Sequence, residues 1–108
     1  MANPIESKII NLCKQDKIAF NKHAFTRMLE RSVDSTDVVE ALLNCEIIKK
    51  YEQDKPLSSY LILGYTENKK PLHINLAIDT IDEMLWIITV YRPDKNLWTA
   101  DYKRRKKI

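Results

Sequence analysis

Up to Cys45, apolar residues recur at helical intervals; beyond it they alternate as in strands. Ile5, Ile9, Leu12 and Cys13 share one helical face, and Asn3-Pro4 opens it with a capping amide followed by a proline at the first turn. Glu6 stands where a capping box needs its second acceptor, so the pattern predicts a helix from Pro4 to about Gln15. Asp16-Lys17 turns the chain, Ile18-Ala19-Phe20 reads as a short apolar link, and Asn21 caps a second helix ending near Ser32. At about 100° per residue that helix gathers Ala24, Phe25, Met28 and Leu29 into an apolar arc. Its other side carries His23, Arg27 and Arg31 in a row at i, i+4 and i+8, with Glu30 in pairing range. A third helix starts at Asp34, with Asp37 completing a capping box and Val33 and Val38 spaced as a hydrophobic staple. Val38, Ala41, Leu42 and Cys45 form its buried stripe, and Asn44 is a natural terminator because it tolerates a left-handed conformation.

Four short segments follow, rich in Ile, Leu, Val, Tyr and Thr: Glu46 to Glu52, Ser59 to Tyr65, Leu72 to Asp79 and Met84 to Arg92. The polar connections between them are short enough for hairpins, which predicts a four-stranded antiparallel meander. Gly64, the single glycine, ends the second of these strands, where a bulge or a close backbone approach is expected. In the third, Leu72, Ile74, Leu76 and Ile78 share one side and leave His73, Asn75 and Asp79 on a polar face. In the fourth, Trp86, Ile88 and Val90 read as core, while Thr89 and Tyr91 join the polar face, with Tyr91 a candidate cross-strand neighbour of His73. After Pro93-Asp94, Lys95 to about Tyr102 reads as a last short helix in which Trp98 anchors the tail. The expectation is one α+β domain over residues 1–108: three N-terminal helices on one face of the meander, then the short helix and a basic tail.

Charge changes this picture locally. The chain carries +3, but Lys103, Arg104, Arg105, Lys106 and Lys107 alone supply five positive charges, so removing them leaves the preceding residues at −2. Anion affinity must therefore come from a patch or from the tail rather than from a general positive field. Cys13 and Cys45 both lie in apolar helical patterns and read as buried, reduced thiols. No stretch is long and apolar enough to span a bilayer, and Met1-Ala2-Asn3-Pro4 has no secretory pattern, which points to the cytoplasm.

Two histidines, several arginines, a tyrosine and a threonine, without zinc spacing, a glycine-rich phosphate loop or a nucleophile elbow, leave metal-free phosphodiester cleavage open. RNA brings its own nucleophile, the 2′-OH, so the protein need only orient it, move protons and stabilise the charged phosphorane. His73 or His23 can move protons, Arg27 and Arg31 can bind a phosphate, and Tyr91 can stack on or hydrogen-bond a base. Each residue also has a plain structural role available: a bonded sheet histidine, a helix-end histidine, a solvated helix face, a packing tyrosine.

The ordered blocks His23–Arg31, Asp37–Leu43, Ile47–Tyr51, Tyr60–Gly64, Pro71–His73 and Ile88–Asp94, with Trp98, resemble a family of small prokaryotic proteins labelled as a domain of unknown function. The resemblance implies a RelE-like fold and a place among the toxins of toxin-antitoxin pairs, often encoded beside a small zinc-finger antitoxin of the MqsA type. It implies a metal-independent endoribonuclease without cofactor, acting on RNA and held by a cognate antitoxin protein. The matching positions are His23, Arg27 and Arg31 on the second helix, His73 on the third strand, Thr89 and Tyr91 on the fourth, and Arg105 in the tail. Among them His73, Arg27, Arg31 and Tyr91 are the catalytic candidates, and His23, Thr89 and Arg105 the substrate-binding ones. Cys45 departs from the family pattern, which usually has glycine there. Two rival expectations stand beside the nuclease: a non-catalytic module binding an acidic partner or structured RNA, and a helix-turn-helix, disfavoured by Asp37 and Glu40 where phosphates would lie.

Overall fold

A computed structural model describes residues 3–107. Its elements in chain order are α1 (Pro4–Lys14), β1 (Ile18–Phe20), α2 (Lys22–Glu30), α3 (Ser35–Leu42), β2 (Glu46–Tyr51), β3 (Ser59–Tyr65), β4 (Pro71–Asp79) and β5 (Met84–Tyr91). The helix starts follow the capping chemistry. Asn3 Oδ1 accepts from the Ile5 and Glu6 amides, Asn21 Oδ1 accepts from Ala24, and Asp34 and Asp37 close a reciprocal box. Glu6 does not complete a box at α1: its carboxylate reaches across to accept the Ile47 amide at 2.8 Å, tying α1 to the start of β2. Asn44 is not left-handed; its side chain donates to the Glu40 and Tyr65 carbonyls and accepts the Tyr65 amide, joining the end of α3 to the end of β3.

The sheet has five strands and is mixed, in the order β1-β5-β4-β3-β2, which corrects the expected four-stranded antiparallel meander. The extra strand is Ile18–Phe20, expected to be a link, which pairs parallel with β5 through Ile18↔Leu85, Ala19↔Trp86 and Phe20↔Ile87. A three-residue strand is too short to display a period, and its partner lies at the far end of the chain, so no local pattern signals it. The other correction is the last helix. Asp94 accepts from the amides of Leu97 and Trp98, but the chain then reverses: Thr99 donates to Arg104, Lys106 donates to Leu97, and Trp98 bridges Arg105 in antiparallel fashion. The result is a small C-terminal hairpin, with Tyr102 at φ 61° in its turn.

Helices α1 to α3 cover one face of the sheet, burying Ile9, Leu12, Val38 and Leu42 against Ile62, Ile74, Leu76 and Ile87. Gly64 is the place of closest approach, since a Cβ there would fall on the Ala41 carbonyl oxygen of α3. Two register irregularities decide which residues face away from the helices. Between Ile47 and Lys49 the bulge leaves Ile47 on the helix side and turns Lys49 and Tyr51 to the open face. In β5 the bulge at Ile88 keeps Leu85, Ile87 and Val90 in the core and places Trp86, Thr89 and Tyr91 opposite Ala77, Asn75 and His73. Trp86, expected in the core, is therefore 40% exposed. Among the described residues no helix is long and apolar enough to cross a membrane.

Candidate functional site

The site lies on the open face, where β4 and β5 meet the C-terminal hairpin. His73 and Tyr91 are direct cross-strand partners, and His73 Nδ1 lies 3.0 Å from the Tyr91 hydroxyl. His73 Nε2 lies 2.7 Å from the Tyr102 carbonyl oxygen, and the Trp98 ring stands edge-on to the imidazole at a centroid distance of 4.4 Å. A carbonyl can only accept, so Nε2 carries the proton, Nδ1 accepts, and Tyr91 donates to it. The hairpin thus closes over His73, which has no exposed surface. His73 takes the polar face that the alternation predicts, but the hairpin covers that face at this point. Burial pushes the His73 pKa down, opposed by its bond to the Tyr102 carbonyl, and the ring is held neutral. Burial raises the Tyr91 pKa, Tyr51 nearby adds to the rise, and the Arg105 and Arg31 charges oppose it.

Tyr91 stands between two clefts of about 500 Å³ and 510 Å³, both of which it lines together with Trp98 and Arg105. The first cleft runs toward β2 over Leu61 and Tyr51, beneath Lys49, Lys103 and Arg104. The second runs toward the end of α2, where Arg31, Arg92, Asp94 and Leu97 line it. Arg105 lies over the Trp98 ring at 5.7 Å, and Lys49 lies over Tyr51 at 5.5 Å. Lys103 is held at the rim by a 2.9 Å bridge to Glu46.

The residues proposed from the sequence divide here. His73, Tyr91, Arg31 and Arg105 converge, although His73 sits behind Tyr91 rather than at the surface. Arg31 is the C-cap of α2 rather than a third member of the helical row, and it turns toward β5, donating from Nη1 to the Val90 carbonyl at 2.7 Å. Arg27 stays on the exposed flank of α2, paired with Glu30 at 3.2 Å, and lines neither cleft. His23 is exposed at the first turn of α2, also away from the clefts, and half-buried Thr89 faces Asn75 without reaching either cleft wall. Lys49, Tyr51 and Arg92 were not anticipated. Counting by alternation from Ile47 sends Lys49 and Tyr51 to the helix side, and only the bulge reverses them. Among the described residues, no three His, Cys, Asp or Glu side chains gather in a way that could hold a metal ion.

Residues 20–92 match the family described as a domain of unknown function, DUF4258. The chain belongs to the DUF4258 family. No curated protein and no solved structure matches the chain. The DUF4258 match takes in Arg31, His73 and Tyr91 but ends before Trp98, Tyr102 and Arg105. The histidine-tyrosine pair thus belongs to the family region, and the hairpin that buries it lies outside the matched range.

Proposed function

We propose that this DUF4258 protein is a metal-independent endoribonuclease of the toxin type, with Tyr91 rather than His73 in contact with the substrate. One observation supports this above others: a hydrogen-bond chain runs from the Tyr102 carbonyl through His73 to the Tyr91 hydroxyl, and it ends between two clefts bearing Arg31 and Arg105. In this reading the RNA 2′-OH gives its proton to the Tyr91 oxygen as Tyr91 passes its own to His73 Nδ1. The 2′-oxygen forms its bond to phosphorus and the bond to the 5′-oxygen breaks, leaving a 2′,3′-cyclic phosphate. The departing oxygen takes a proton from solvent, and His73 returns its proton to solvent through Tyr91. Arg31 and Arg105 bind the non-bridging oxygens and stabilise the added charge. Neutral His73 is the form this relay requires at rest. The resemblance to RelE-like toxins supports a cognate antitoxin protein, of zinc-finger type, as the partner that silences the activity.

A second reading, a non-catalytic RNA-binding module, is favoured by the same burial, which makes an imidazolium at His73 costly and the Tyr91 hydroxyl a weak acid. Purified protein incubated with single-stranded RNA and a chelator separates the two. Cyclic-phosphate products that disappear in Tyr91→Phe, with RNA still bound, are expected for the nuclease. Tight binding by the wild type with no products would replace it with the module.

A further inference from the structure

The two clefts differ in a way that specifies what lies in each. The first combines an apolar floor, Leu61 and Ile48, with the rings of Tyr51, Tyr91 and Trp98. Lys49, Arg104 and Arg105 stand around it with Lys103, which is bridged to Glu46 at the rim, and among the described residues no carboxylate is part of its lining. A flat aromatic group carrying a negative charge satisfies both halves of that lining. The second cleft has Arg31, Arg92 and Arg105 beside Leu97, Trp98 and Tyr91; it lacks the Tyr51 ring, and the Asp94 carboxylate enters it. Its donors suit a sugar-phosphate backbone, with Asp94 disfavouring a further phosphate at its own end. Arg105 and Tyr91 line both, so the phosphate between two nucleosides has its cation and its hydroxyl partner at the junction.

From this asymmetry we infer that the site takes an unpaired dinucleotide step astride Tyr91, one base entering the first cleft against Tyr51 and the backbone continuing into the second. The inference rests on the RNA reading above and adds to it that the substrate is single-stranded, because a base can reach the Tyr51 ring only when splayed out of a helix. Tyr51 is a binding residue in this scheme and takes no part in proton transfer. Edge strand β2 carries it, and Lys49, two residues earlier, brings a cation beside the stacked base.

The test uses an uncleavable 2′-deoxy dinucleotide at low salt, read by titration calorimetry on the full-length protein. Tyr51→Leu keeps apolar bulk on the edge strand without the ring, and it is expected to lower affinity roughly 5- to 150-fold, the ordinary value of one stacked base. Tyr51→Phe is expected to bind as the wild type does. A doubly abasic analogue, which keeps the phosphate and loses both rings, is expected to bind wild type and Tyr51→Leu alike. Equal affinity of Tyr51→Leu and wild type for the intact dinucleotide would overturn the inference. So would a polyglutamate peptide that binds as tightly as the dinucleotide and shows the same dependence on Tyr51, since an acidic protein partner would then own the cleft. Because the probe cannot be cut, failure of the nuclease reading leaves these expected affinities intact. Conversely, RNA cleavage unaffected by Tyr51→Leu would remove the base site while sparing the chemistry.

Discussion

Replacing His73 with phenylalanine keeps a planar ring of similar size in a fully buried position and deletes both of its hydrogen bonds. The Tyr102 carbonyl loses a partner at 2.7 Å; if it stays dry beneath the hairpin, that costs about 1–3 kcal/mol. The Tyr91 hydroxyl is half-buried and can turn toward a cleft, so its lost bond costs about 0.5–1.5 kcal/mol. The more apolar ring returns about 1 kcal/mol. The balance is a destabilisation of about 2 kcal/mol, enough to lower the melting temperature by roughly 10 °C in a domain of this size. Urea unfolding followed by far-UV circular dichroism gives the free energy. The double variant with Tyr91→Phe gives the coupling between the two residues, expected to be about 0.5–1.5 kcal/mol. His73→Phe alone is expected to lose RNA cleavage while retaining RNA binding, because Tyr91 then has no acceptor for its proton. Wild-type stability in His73→Phe, with no coupling to Tyr91, would refute the bonded-imidazole account and the relay with it.

His73 also sets a pH dependence. Its folded-state pKa lies below the unfolded value of about 6.5, so the unfolded chain binds more protons between the two, and stability falls as pH drops through that window while staying level above it. The loss can reach about 1.4 kcal/mol per pH unit, and the difference between wild type and His73→Phe, measured from pH 7.5 to 4.5, isolates it from titrating carboxylates; parallel profiles would contradict it. Gly64→Ala is expected to destabilise by the upper end of about 1–3 kcal/mol or more, because the new Cβ meets the Ala41 carbonyl carbon at 2.6 Å and Cα at 2.8 Å, atoms that move only if α3 does. Thermal unfolding checks this, and an unchanged midpoint would mean that α3 is looser on the sheet than its packing indicates.

The sequence by itself determined the elements whose causes are local. Asn3, Asn21 and Asp34 start helices because their side chains meet the orphan amides of the next few residues, and the alternation in Leu72–Asp79 set Ile74 and Leu76 against the core with His73 on the other side. The pairing of His73 with Tyr91 was legible too, since β4 and β5 are consecutive strands joined by a short turn. Tertiary structure alone decided the rest. The parallel strand Ile18–Phe20 exists because β5 offers it an edge, not because three residues have a period of their own. The bulges in β2 and β5 shift the alternation by one, which brings Lys49 and Tyr51 to the cleft and carries Trp86 out of the core. Arg31 left the helical row because α2 ends at Glu30 and the Val90 carbonyl lies within its reach. Above all, whether His73 meets solvent depended on a hairpin some thirty residues away, whose carbonyl and indole reach it only after the chain has folded back. A local pattern records which face a side chain takes; it holds no information about what later comes to lie over that face.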